Sequence, residues 1–270
     1  MKHSLYHRGS GILLALLPTW ALGQPYTKLC ADLAVGDSVS VYIPGKRSPT
    51  TVTHSYSLKR QSTYHYEAYL NLRFHDCAEL GLSSEALKKF YLERGQACVD
   101  KYQDTFADGS GRTLGIIFYD ERLHGTAAIP KPMLVDIAIR EKGHRSDSRN
   151  YEHKTDCKTL IHEFLHLLGL ADEYEERVRT GLFKSENLYP GRAVSTDASW
   201  MAHFSLGILN SGIGKTKKRL FKGQLDAIVY PGCETRNSTY YSCVKSAYDF
   251  KAPPTIPPIC KTKTKWLDSP

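Results

Sequence analysis

The stretch from His162 to Asp172 reads His-Glu-Phe-Leu-His-Leu-Leu-Gly-Leu-Ala-Asp, with two imidazoles four residues apart and a carboxylate beside the first. On an α-helix that step is about one turn, so His162 and His166 share a face and can converge on one metal ion. Imidazole nitrogens suit zinc, and a water held by zinc loses a proton near neutral pH. Glu163 stands where a carboxylate can take that proton, so the chemistry is hydrolysis by an activated water. Gly169 and Asp172 follow His166 at two further steps of three. Glycine tolerates a left-handed backbone, so the helix is predicted to stop at Gly169 and the chain to turn Asp172 back toward the histidines. Two His and one carboxylate leave the fourth position of a tetrahedral site open for water, as in catalytic zinc centres. A buried, hydrogen-bonded His pair on a core helix accounts for His162 and His166 alone, since Leu160, Ile161, Phe164, Leu165, Leu167 and Leu168 surround them. It does not account for Gly169 and Asp172.

The extended pattern His162-Glu163-x-x-His166-x-x-Gly169-x-x-Asp172 resembles the zinc motif of the metzincin metallopeptidases. With Asp as third ligand it is similar to the snapalysin-type members. The carboxylate adds negative charge, which makes the metal a slightly weaker Lewis acid than three neutral imidazoles would. Ser199-Trp200-Met201-Ala202-His203 resembles the Met-containing turn that lies beneath the metal in that family. The resemblance implies Met201 under the site and His203 as a possible transition-state stabiliser, at a position where some members carry Tyr. It also implies a mixed β-sheet backed by two long helices, an irregular C-terminal subdomain, and the zinc cleft between them. The motif match is tight over 162–172 and loose over 199–201, and elsewhere only the order of elements agrees.

The elements that must position these groups follow from hydrophobic period. Ser38–Ile43 reads as a strand. Tyr64, Tyr66, Ala68, Leu70, Leu72 and Phe74 alternate and predict a second strand with all six on one face. Ser83 or Ser84 can cap a helix whose apolar residues Leu87, Phe90, Tyr91, Cys98, Tyr102 and Phe106 recur at helical spacing. Asp108-Gly109-Ser110-Gly111 ends it; Asp104 and Asp108 suggest calcium only faintly, and turn chemistry is the better reading. Thr113–Tyr119 and Leu134–Ile139 are further strands, with a short edge strand in 148–153. Thr155 or Asp156 caps the helix carrying His162. The fold class is therefore α+β. The resemblance further implies an edge strand that pairs with an extended peptide substrate, and residues 125–132 or the strand after them are the expected counterpart.

The N-terminus fixes the compartment. Lys2 and Arg8 precede an apolar run from Ile12 to Leu17, and Ala21 and Gly23 suit signal peptidase. Residues 1–23 read as a signal peptide and 24–270 as one catalytic domain, divided into a sheet and zinc-helix half, 24–170, and a C-terminal half, 171–270. The apolar run is too short to anchor the chain in a membrane. An exported chain can oxidise its seven cysteines (Cys30, Cys77, Cys98, Cys157, Cys233, Cys243 and Cys260) into three disulfides with one thiol left over. Cys233 and Cys243 are the simplest pair to picture, and Cys30 is the candidate for a thiol that blocks the metal in a latent form. The formal charge of +8 falls to +6 once Lys2 and Arg8 leave with the signal. Its excess sits in Lys215–Arg219 and Lys261–Lys265, without the aromatic interleaving of a nucleic-acid groove.

The expected function is a monomeric, secreted or periplasmic zinc endopeptidase acting on extended peptides, with no nucleic-acid partner and no stable membrane insertion. Zn2+ is held by His162, His166 and Asp172, and Glu163 is the base. The alternatives are a zinc amidase acting on cell-wall peptides and a catalytically silent metal-containing binding protein. His124, His144 and His153 precede the motif helix and read as surface residues or cleft lining. Gly212-Ile213-Gly214-Lys215-Thr216 lacks the first glycine of a phosphate-binding loop and reads as a basic loop.

Overall fold

The computed structural model describes residues 26–45, 48–76, 83–125, 128–141, 146–170, 177–179, 185–187, 201, 218–233, 235–236 and 239–240. The signal segment 1–23, Asp172, His203, His144, Cys77, Cys243, Cys260, Lys215–Lys217 and the tail Lys261–Lys265 lie outside these residues.

The alternation in β3 (His65–Asp76) buries Tyr66, Ala68, Leu70, Leu72 and Phe74, as the pattern predicts. Tyr64 departs from it: it lies one residue ahead of the strand and is exposed. The hairpin strands β1 (Ser38–Gly45) and β2 (Ser48–Arg60) pair antiparallel, and β2 joins β3 antiparallel. Both β4 (Thr113–Phe118) and β5 (Leu134–Arg140) run parallel to β3, along its first and second halves respectively. The short β6 (Asn150–Glu152) runs parallel to β5. Among the described residues this makes one six-stranded mixed sheet, the α+β class expected.

Strand β2 escapes a reading based on alternation because both of its faces are buried. His54, Tyr56 and Leu58 face one way, while Ser55 and Ser57, equally buried, face the other. A buried hydroxyl needs a partner, and both find one in the chain that crosses this face. The Met133 amide donates to Ser55 Oγ at 2.7 Å, and Ser57 donates to the Pro130 carbonyl. Ser38 donates to the Ala128 carbonyl at 2.8 Å and Asn71 to that of Pro132 at 3.1 Å. The carbonyls of Ala128, Pro130 and Pro132 are therefore taken by the sheet's own side chains. The following strand, β5, pairs with β3 along Leu134–Ile139 and with β6 only over Ala138–Arg140.

Helix α1 (Ser84–Tyr102) is capped by Ser83, whose Oγ accepts from the Ala86 amide at 3.2 Å. Leu87, Tyr91, Cys98 and Val99 form its buried stripe, and Phe106 just beyond it is buried too. Phe90 is not: it lies at the stripe's margin, edge-on to Tyr91 and 39% exposed. The single turn α2 (Glu121–His124) follows β4. Helix α3 (Cys157–Leu167) carries the motif and packs beside α1. Gly95 permits that approach, since a Cβ there would stand 2.8 Å from the Phe118 ring and 3.2 Å from that of Phe164. With 19 residues α1 is long, but α3 has only 11, so one long helix and one short one back the sheet rather than two long ones.

Among the described residues two disulfides tie these layers, Cys98–Cys157 between α1 and the start of α3, and Cys30–Cys233 between segments near the two ends of the described chain. The second corrects two expectations: Cys233 does not pair with Cys243, and Cys30 is not available as a latent metal ligand. Its cause is a close passage of two distant segments. The Leu29 amide donates to the Pro231 carbonyl at 2.9 Å, and Gly232, at φ +68°, leaves room where a Cβ would stand 2.9 Å from the Thr27 carbonyl oxygen. In the C-terminal half, β7 (Arg177–Arg179) and β8 (Ser185–Asn187) form a small antiparallel pair. Helix α4 (Lys222–Val229) joins the sheet's core through Leu225, Ile228 and Val229, and Tyr56 donates to the Ile228 carbonyl at 2.6 Å.

Candidate functional site

Helix α3 begins where the sequence predicts. Asp156 accepts from the amides of Lys158 and Thr159 at 2.8 and 3.2 Å and from the Thr159 hydroxyl at 2.8 Å. Arg94 of α1 reaches across to donate to the Thr155 carbonyl at 2.6 Å, which holds the helix entrance against α1. From this start the 3.6-residue period brings His162 and His166 to one face. Their ring centroids are 4.7 Å apart and the rings are nearly perpendicular, at 83°. His162 and Glu163 are buried and His166 is partly exposed. Phe164 points the other way into the core, against Phe118 and Tyr151.

The helix ends at Gly169, which adopts φ +89°. The Gly169 amide donates to the His166 carbonyl at 3.0 Å and the Leu170 amide to the Leu165 carbonyl at 3.2 Å. These two bonds, with Leu165 and Leu170 both buried, make a Schellman motif. Its chemical consequence is the position of the next carbonyl: Leu170 O lies 2.8 Å from His166 Nδ1. A carbonyl can only accept, so Nδ1 carries the proton and Nε2 keeps its lone pair. That tautomer is the one a metal-binding imidazole needs, with the second ring nitrogen held by a backbone oxygen. The glycine turn therefore does two things, ending the helix and fixing which nitrogen of His166 can ligate.

Tyr151 of β6, not singled out in the sequence, stands behind the site. It is fully buried, and its hydroxyl has no hydrogen-bond partner among the described residues. Burial, and then the nearby charge of Glu163, push its pKa well above the ordinary value, so it stays a neutral phenol. The short strand Asn150–Glu152 gives no sign in sequence that its central residue would face a carboxylate 12 positions on.

Met201 is fully buried in the same hydrophobic cluster as Phe164, Leu165 and Leu168. Asp172 and His203 lie outside the described residues, and among the described residues no three His, Cys, Asp or Glu side chains gather as a ligand set. His124 packs between Tyr69 and Tyr119 and accepts from the Asp120 amide at 2.9 Å. His153 packs against Phe90 and Tyr91. Asp108 accepts from Ser110 and Arg112 as the end of a turn. The donors present suit zinc chemically: two imidazoles on one helical face, one with its tautomer set by a carbonyl, and a buried carboxylate beside them. No protein-family model, curated protein or solved structure matches this chain.

Proposed function

We propose that this protein is an exported zinc endopeptidase of metzincin type that hydrolyses peptide bonds in extended protein substrates. The observation that supports it best is the bond from His166 Nδ1 to the Leu170 carbonyl across the Gly169 turn. A buried core histidine gains from any acceptor. Here the acceptor belongs to the glycine turn that the extended motif specifies, and it leaves the lone pair on Nε2, in a ring whose centroid lies 4.7 Å from that of His162. In this reading His162, His166 and Asp172 would hold the ion, with Met201 and His203 in supporting roles.

Zinc, when bound, supplies a Lewis acid and lowers the pKa of a water to about 7. Glu163 takes the proton from the attacking water and returns it to the departing amine. It is buried, among apolar residues of α3. Both disulfides require an oxidising compartment, which supports export by the signal in residues 1–23. Among the described residues no helix is long and apolar enough to cross a membrane.

The test is cleavage of an unfolded protein by the chain beginning at Gln24, with Glu163→Ala as the matched control. Wild-type cleavage that the variant lacks, with about one zinc per chain in both, is the expected result. Equal turnover by the two proteins rules out Glu163 as the base.

A further inference from the structure

We infer that His54 is a positioning residue for the candidate metal site, holding the end of α3 from the neighbouring hairpin so that the Leu170 carbonyl stays on His166. This rests on the metal-site reading above.

The last carbonyls of α3 can be accounted for one by one. That of Phe164 accepts from the Leu168 amide at 3.2 Å, that of Leu165 from Leu170, and that of His166 from Gly169. The carbonyl of Leu167 turns instead to a side chain 113 residues earlier in sequence: His54 Nε2 lies 3.0 Å away. Since the carbonyl can only accept, His54 carries its proton on Nε2. Nδ1 is then an acceptor, and the Thr53 hydroxyl stands 2.9 Å from it, the shorter of that hydroxyl's two contacts (the other, 3.4 Å, is to the Ile43 carbonyl). Thr53 is itself held, its carbonyl accepting from Arg149 Nη2 at 2.9 Å. His54 is thus buried, fixed at both ring nitrogens, and mounted on a strand of the main sheet.

The same hairpin touches the turn a second time. Ile43 of β1 packs so closely over Gly169 that a Cβ there would stand 3.0 Å from Ile43 Cδ1. Two residues of the hairpin therefore bear on two consecutive parts of the turn, His54 on Leu167 and Ile43 on Gly169. A turn of three residues with a left-handed glycine has soft dihedrals of its own. Fixing the residue before it and the face above it removes that freedom. The group whose position then depends on the turn is the Leu170 carbonyl, which orients the imidazole of His166. His54 acts through backbone, at one remove from the groups that support a ligand directly.

The experiment compares zinc affinity of the wild-type chain with His54→Gln, His54→Asn and His54→Leu, each measured below its own melting transition. Glutamine places an amide N–H where Nε2 stood and can reach Leu167; asparagine is too short to do so yet remains polar. The expected order is wild type and His54→Gln within about threefold of each other, with His54→Asn and His54→Leu weaker by about tenfold or more, the range found when such supporting groups are lost. Loaded with Co2+, the wild type and His54→Gln should share one visible spectrum and His54→Asn should differ. If His54→Leu fails to fold, the Gln and Asn pair decides. Equal zinc affinity and equal spectra for wild type and His54→Asn overturn the inference while leaving the metal site standing. A wild-type chain without zinc affinity overturns the metal reading and this inference with it.

Discussion

A carbonyl oxygen chooses the tautomer of His166, and its chemistry follows from that choice. With Nδ1 donating to Leu170 O at 2.8 Å, only Nε2 can meet a metal. Glu163 beside it is buried, and the fully buried phenol of Tyr151 stands near enough to feel its charge. Tyr151 gives a test at this scale that does not depend on turnover. A buried hydroxyl without a partner contributes nothing and costs its desolvation, so Tyr151→Phe should leave stability unchanged or raise it by about 1 kcal/mol. Thermal unfolding of the metal-free protein measures this directly. A loss of more than about 1 kcal/mol would mean that the hydroxyl is hydrogen-bonded after all.

The elements convert that local chemistry into a fixed site, and the Gly169 turn is where they meet. Gly169→Ala forces a side chain into φ +89° and against Ile43 at 3.0 Å, so it should cost on the order of 1–2 kcal/mol and weaken zinc binding as Leu170 O shifts. Asp156→Ala removes the cap at the far end of the same helix and should cost about 1 kcal/mol while leaving zinc affinity unchanged. Chemical denaturation and zinc titration of the two variants separate the roles of the two ends. Both ends of α3 were legible in the sequence, because a cap and a glycine stop are local signals. So were β3, β4 and β5, whose alternation or apolar run is intrinsic to each. Strand β2 was not, because Ser55 and Ser57 are buried only by virtue of hydrogen bonds to residues 130 and 133. The tautomer of His166 and the contact of His54 with α3 were equally hidden, since both depend on backbone atoms that no side-chain pattern encodes. Phe90 shows the converse error, a residue at helical spacing that lies at the margin of the stripe rather than in it.

Across the whole molecule, helix α4 is fastened to the sheet by charge as well as by packing. Arg112, just before β4, bonds Asp108 through Nη2 and Asp226 of α4 through Nη1, both at 2.6 Å, and Lys222 adds a bond to Asp226 at 2.8 Å. Asp108 is fully buried in its side chain. Burial alone would raise its pKa, but hydrogen bonds from Ser110 and Arg112, and then the charge of Arg112, outweigh that and hold the carboxyl below its ordinary value. Asp32, bonded by Tyr230 and faced by Arg236 and Arg60, is lowered in the same direction. A depressed carboxyl stabilises the fold at any pH above its unfolded pKa, about 3.9, and that contribution is lost as pH falls through the folded value. Wild-type stability should therefore be flat near neutrality and fall below about pH 4. Asp108→Asn should be weaker than wild type by on the order of 3 kcal/mol at neutral pH, because Arg112 loses a buried partner. The gap should close as acid protonates Asp108 in the wild type and makes the two side chains alike in charge. Urea unfolding at a series of pH values measures the gap, and a difference that persists undiminished at about pH 2 would show that Asp108 is not linked to folding in this way.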